Sequence, residues 1–450
     1  MSNVKYALMN KNRVVLDFLY DTETHHVVKI LTLHDSQYAP PAVIDARGNI
    51  TRAALDSWWQ HRAIPASRAQ LKQLMETLDI STTLSLAEKS FGLSLSDRYW
   101  INDPSHPQEW SSINFFDNAF TDDLGILTLG QDSSIRDPNL ISPNSTVGGD
   151  LSKKWTIVNG QRLLIKSGSG FANQEVYNEV IATRLHQRLL SEDDYVPYTL
   201  HHEGHRTYCA CPNMLKEDEE LIPALHIVRN QKKPNFQSDY QFLVSCFENL
   251  GLKDVQTYLS KMFVCDFIVG NFDRHYQNFG VIRNVETLEY TRFAPIFDTG
   301  NSLWCNTQSL DTYKDYEYIA KPFGRNGLSP SRQLELLSDF SWFHPNKLDG
   351  FTNEVETLLK LNPNMPQSRI ERIITGVNRQ IERVDEHIMK HEQARNKSLS
   401  LSNEVNSRED HIAAQKNKQS IKEKISKNKE KVASHEATMP DKEQSKEKTL

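Results

Sequence analysis

Cysteine is scarce in this 450-residue chain, and odd in number. Its five thiols, Cys209, Cys211, Cys246, Cys265 and Cys305, do not suggest a disulfide framework. A tetrahedral zinc site around the Cys209-x-Cys211 pair would need a second pair of ligands, and no second Cys pair exists. The two cysteines are therefore read as alternate residues of a strand. Long apolar runs are missing too. No stretch approaches the roughly 20 apolar residues of a membrane span. Met1 to Asp17 has neither the apolar core nor the cleavage site of a signal peptide. A soluble, cytoplasmic protein without a membrane partner is the expectation. Aromatics stop at Phe351 and glycines at Gly376. From Ala394 onward there are 13 basic and 9 acidic residues, against 39 and 49 in the 393 residues before them. A basic tail thus follows an acidic body, and the acidic body argues against nucleic acid as its main partner.

What is present is organised in blocks. The length allows about two or three domains and a core that needs no staples. Tyr6–Met9, Val14–Tyr20 and Val27–Leu33 read as strands separated by turn residues. Thr51 to Leu78 turns helical, with Ala54, Leu55, Trp58 and Trp59 at helical spacing. Dense aromatics between 79 and 140 complete an irregular N-terminal module, residues 1–137. Residues 138–235 open with a Pro-, Asn-, Ser- and Gly-rich loop, Pro138 to Gly149. A hairpin follows, Trp155–Val158 and Arg162–Lys166 around Asn159-Gly160, a strong hairpin turn. A helix is predicted from about Asn173 to Leu190, a strand near Arg206 to Met214, and then a polar, charged stretch. Residues 236–393 are mostly helical. The tail, 394–450, is rich in Lys, Glu, Ser and Gln. It is expected to be a frayed helix or disordered, with a weak nucleic-acid- or partner-binding arm as the functional alternative.

The chemistry concentrates in two runs. Asp273 and Asn278 lie on one loop between the apolar run Met262–Val269 and the strand Val281-Ile282, and Asp298 follows at a turn after an apolar run. Phosphoryl transfer needs such a set: one Asp to orient or deprotonate the accepting hydroxyl, and an Asn and a second Asp to hold the metal that bridges the phosphates. Upstream, Gly148 and Gly149 form a loop whose backbone N–H groups can approach phosphate oxygens, and Thr146 stands beside them. The second hairpin strand presents Lys166, which can reach the α- and β-phosphates. Glu179, or Glu175 one turn earlier, can hold it. The loop matches neither G-x-G-x-x-G nor the P-loop pattern. Asp266 is read as a structural partner of the 273–278 loop, and His275 as shaping it.

These residues resemble a known family. Asn271-Phe-Asp273-Arg-His275-x-x-Asn278-Phe-Gly, followed by Ala294-Pro-x-Phe-Asp298-x-Gly, is similar to the HipA-like serine/threonine kinases of bacteria. The resemblance covers roughly residues 140 to 340. It implies an α+β, two-lobed protein-kinase-like fold with a β-rich N-lobe and a mainly helical C-lobe. It also implies ATP and Mg²⁺ as cofactors and a protein substrate with a Ser or Thr hydroxyl. By that resemblance Asp273 is the catalytic Asp, His275 the family's loop His, Asn278 and Asp298 the Mg²⁺ ligands, and Lys166 the ATP-contacting Lys. In the family a serine of the glycine-rich loop is autophosphorylated and ejects the loop; Ser142, Ser145 and Thr146 occupy that neighbourhood here. An antitoxin-like partner protein is a further implication.

Two rivals share parts of this reading. Phosphatidylinositol kinases also carry D-R-H-x-x-N followed by D-x-G, but only the tail of this chain offers a basic surface for lipid. A nucleotide-binding pseudokinase acting as an interaction module is the other. The presence of Asp273, Asn278 and Asp298 together counts against it.

Overall fold

The computed structural model describes residues 3–65, 68, 71–131, 135, 137–307, 310 and 318–436. The chain divides into two compact units, Met1–Asp385 and Glu386–Leu450. The first is a mixture of sheets and helices.

Alternating apolar residues near the N-terminus build an antiparallel sheet of β1 (Asn3–Asn10), β2 (Arg13–Asp21), β3 (His26–Leu33) and β4 (Tyr99–Asn102), in the order β3-β2-β1-β4. Its inner face buries Leu8, Leu16, Phe18 and Tyr20 against Leu55 and Trp59 of the Arg52–Gln60 helix. Thr51 caps that helix by accepting the Ala54 N–H.

A second antiparallel sheet joins β5 (Lys153–Val158), β6 (Gln161–Lys166), β7 (Thr199–Glu203) and β8 (Arg206–Pro212) in the order β5-β6-β8-β7. The β5–β6 turn is the predicted one. Asn159 and Gly160 both take positive φ, 51° and 79°, as a two-residue turn matched to strand twist requires. The register sets Lys153 opposite Lys166, and Lys166 opposite Cys209 on the other side. Cys209 and Cys211 are buried residues of β8. Gln174–Leu189 is helical, and polar residues such as Asn178 and Glu179 are buried along with its apolar stripe.

The stretch after β8 departs from expectation. Glu219–Pro223 is a strand, β9, and pairs with β10 (Gly280–Asn284), which pairs in turn with β11 (Tyr290–Phe293). A charged segment enters a sheet because its buried member has a partner in register. Glu220, fully buried, faces Arg283, whose Nε donates to it at 2.8 Å and whose Nη2 donates to Tyr99 Oη at 2.8 Å. Ala294–Phe297, the apolar run before Asp298, contributes only an isolated bridge from Ile296 to Tyr195.

The Val255–Val269 helix is buried almost along its whole length and stops at Gly270 in the left-handed conformation. It delivers the 271–279 loop from a rigid base. Near the other end of the described chain, Gln367–Glu436 is helical. The tail is therefore helix through Glu436, and positions 411–434 are exposed. Lys, Glu, Gln and Ala are strong helix formers, which suits a helix with no buried face. Residues 437–450 lie outside the described residues. Among the described residues no helix is long and apolar enough to cross a membrane.

Candidate functional site

Lys166 ends β6 with its ammonium enclosed. Its Nζ donates to Glu179 Oε1 and, at 2.5 Å, to Asp298 Oδ1. Burial works against the ammonium's charge, but Asp298 and Glu179 more than offset it and hold the pKa well above its ordinary value. Burial likewise opposes the Asp298 carboxylate, yet Lys166 and then Lys153 keep it well below the usual carboxylate range. Glu179 has a second contact, accepting the Thr299 N–H on Oε2 at 2.9 Å. Glu175 faces elsewhere, accepting the Gly170 N–H at 2.7 Å. Of the two carboxylates weighed for Lys166, the geometry brings Glu179 to it and not Glu175. Asp298 itself holds a left-handed φ of 57°, a conformation non-glycine residues take up only when their surroundings enforce it.

The 271–279 loop is built around Arg274, whose side chain is 1% exposed. Its guanidinium forks onto Asp266 at 2.7 and 2.8 Å, donates to Asn278 O at 2.9 Å and Thr299 Oγ1 at 2.9 Å, and also to Phe297 O. One buried cation thus ties the backbone at Asn278 to the backbone just before Asp298. Asp266 is the structural partner expected of it, and Asn271 Nδ2 completes its set at 2.8 Å. Asn278 donates through Nδ2 to Asp273 O at 3.0 Å. The Asp273 carboxylate accepts from Asn301 Nδ2 on Oδ2 at 2.9 Å and from Lys321 Nζ on Oδ1 at 2.7 Å. His275 lies at its edge, Nε2 4.0 Å from Asp273 Oδ2, and its Nδ1 accepts the Gln277 N–H at 3.3 Å. Asn178 steadies the far side, donating to Gly300 O at 2.9 Å and Ser302 O at 2.7 Å.

The glycine loop reaches this group through Lys153. A Cβ on Gly149 would stand 2.5 Å from Lys153 Nζ. Burial pulls the Lys153 pKa down to about 8. The loop is held from outside by Arg68, whose Nη2 donates to Val147 O at 2.6 Å, Gly148 O at 3.2 Å and Gly149 O at 2.7 Å. Three successive carbonyls of the loop thus share one guanidinium. Thr146 does not join the site in this conformation: its hydroxyl is buried and donates to Leu93 O at 2.5 Å. Ser142 and Ser145 are fully buried, and the Ser145 hydroxyl donates to Ser142 O at 2.7 Å.

Arg274 stands in the motif without an assigned role, and the sequence does not single out Lys153, Asn301, Lys321 or Arg68. Lys153 carried one usable signal, its place opposite Lys166 across a two-residue turn. The other four act through contacts between distant segments. Among the described residues no group of three or more His, Cys, Asp or Glu side chains could hold a metal ion. Asn278 and Asp298 nevertheless offer the hard oxygen donors that suit Mg²⁺, which takes few protein ligands when phosphates supply the rest.

No protein-family model matches the chain. Over 173 residues it is 25% identical to the serine/threonine-protein kinase CtkA of Helicobacter pylori, an alignment covering 37% of this chain and 53% of that protein. The chain thus spans about half the length of the curated relative it matches. The crystal structure of a Helicobacter pylori proinflammatory kinase CtkA aligns with a TM-score of 0.42 and 17% identity, over 54% of this chain and 94% of that one. The chain is distantly similar to a bacterial serine/threonine kinase.

Proposed function

We propose that this chain is an ATP-dependent serine/threonine protein kinase of the HipA-like type, with residues 138–235 as the N-lobe and 236–393 as the C-lobe of a two-lobed kinase. The observation that carries the reading is the Lys166 ammonium held between Glu179 and Asp298, partners 13 and 132 residues away. A lysine fixed by a helix carboxylate beside a metal-binding Asp is what phosphate positioning requires. Lys166 holds the α- and β-phosphates, and the glycine loop and Lys153 cover them from the β5 side. Asp273 accepts the proton of the Ser or Thr hydroxyl as its oxygen bonds to the γ-phosphorus and the bond to the β,γ-bridging oxygen breaks. Arg274 fixes Asn278 and the approach to Asp298 while touching no reactant. Asn278 and Asp298 would hold Mg²⁺, which would supply charge neutralisation at the phosphates.

The test is transfer of labelled γ-phosphate to a protein acceptor in the presence of Mg²⁺. Phosphatidylinositol vesicles serve as a parallel acceptor, and mass spectrometry follows Ser142, Ser145 and Thr146. Protein transfer without lipid transfer is expected, and Asp273→Asn should lower it about 10³-fold with the melting temperature preserved. Full activity in that variant would sink the assignment. Phosphate on any of the three loop hydroxyls would require the loop to leave the buried arrangement described above.

A further inference from the structure

Phosphoryl transfer places negative charge on the equatorial oxygens of the moving group, and a fixed cation on the acceptor side lowers that barrier. The 271–279 loop does not supply one. Arg274 is committed inward to Asp266, Thr299 and two carbonyls. Lys166 is committed to Glu179 and Asp298. Among the described residues, the Lys or Arg paired with Asp273 is Lys321, 48 residues downstream, with Nζ 2.7 Å from Oδ1.

Its position is built in. The Lys321 N–H donates to Phe272 O at 3.2 Å, next to Asp273 itself. Ala320 pairs with Leu328 in both directions at 2.9 and 3.0 Å. Gln333 Nε2 donates to Ala320 O at 2.8 Å and Lys321 O at 3.1 Å. Phe323, 1% exposed, packs on Phe263 of the Val255–Val269 helix with ring centroids 5.3 Å apart. The backbone is anchored on both sides, while the side chain is 55% exposed, against 22% for Asp273. An anchored stem with a solvent-reaching ammonium can change partners without moving the chain.

We infer that Lys321 is a catalytic residue of this site: its ammonium rests on the Asp273 carboxylate and passes to a γ-phosphoryl oxygen when the acceptor hydroxyl takes its place there. The inference rests on the kinase reading above. The ammonium keeps its proton throughout; only the hydroxyl proton moves, to Asp273.

The experiment measures initial rates and KM for ATP for the full chain and for Lys321→Met and Lys321→Arg, with melting temperatures recorded in parallel. Lys321→Met should lower kcat about 10²-fold, the scale of one lost transition-state contact, with KM for ATP and Tm nearly unchanged. Lys321→Arg should recover most of the loss, and a fall in kcat with KM for ATP and Tm unmoved in Lys321→Met is what a merely structural ion pair does not predict. Wild-type kcat in Lys321→Met overturns the inference. So does a raised kcat with a lower KM for the acceptor, because Lys321 would then be a block over Asp273. Absence of transfer by the unaltered chain overturns the kinase reading and this inference together.

Discussion

Lys166 carries two carboxylates, and one of them, Glu179, is only 3% exposed at its side chain. Lys166→Met therefore does more than remove the proposed phosphate contact. It leaves a buried charge unpaired, and the expected loss is about 3–5 kcal/mol of stability, read as a lower denaturant midpoint. Lys166→Met combined with Glu179→Gln should be less destabilised than Lys166→Met alone, and a double-mutant cycle measures that coupling. Lys153 behaves oppositely. Its ammonium is buried against the trend of its pKa, so Lys153→Met is expected to raise stability by about 1–2 kcal/mol while weakening ATP affinity in calorimetry. The contrast explains what could be read in advance. Lys166, Asp273, Asn278 and Asp298 could be singled out from the sequence because phosphoryl transfer, where it occurs, constrains residue type and order along a chain. Arg274 stood in the same motif, but its inward fork onto Asp266 follows from burial. Lys321 was invisible because only the folded backbone brings it to Phe272.

The elements show the same division. The β5–β6 hairpin was legible because Asn159-Gly160 specifies its own turn. β9 was not, because Glu219 and Glu220 read as solvent-facing until Arg283 of β10 is set opposite Glu220 and Arg292 of β11 reaches Glu219. The close packing of β9 on β10 has a measurable consequence at Gly280, where a Cβ would stand 2.2 Å from Ile222 O. Gly280→Ala must push these strands apart, and with them the end of the loop that carries Asn278. A stability loss of about 1–3 kcal/mol and a clear drop in transfer are expected together. The Gln174–Leu189 helix carries a second test. Burial, and then the nearby Arg274 charge, lower the His186 pKa from 6.5 to about 3. The unfolded chain binds this proton below about pH 6.5 and the folded chain does not until about pH 3. Stability is therefore lost as pH falls through that window, by up to about 1.4 kcal/mol per unit. His186→Phe should flatten the slope of unfolding free energy against pH between 6.5 and 4, and an unchanged slope would exclude this origin.

For the whole molecule, the composition break at the tail was plain in the sequence, while its structural form was not. A segment too polar to bury a face can still be helical, and residues 411–434 are exposed at every position described. A chain ending at residue 393 should melt within about 2 °C of the full chain and keep its transfer rate; a large drop in either would assign the tail a part in the activity. Sequence separation across the site has a further effect, on the order in which the site comes into being. The Lys166–Glu179 pair spans 13 residues and can close early, whereas Asp298 is 132 residues from Lys166 and Lys321 follows 48 beyond Asp273. Long-range closures are made late in folding. During synthesis, a chain that has emerged only to residue 297 holds Lys166 and Glu179 but lacks both Asp298 and Lys321. If the chain is the kinase proposed above, the site is complete only once Lys321 has left the ribosome, and the growing chain is protected from phosphoryl transfer until then.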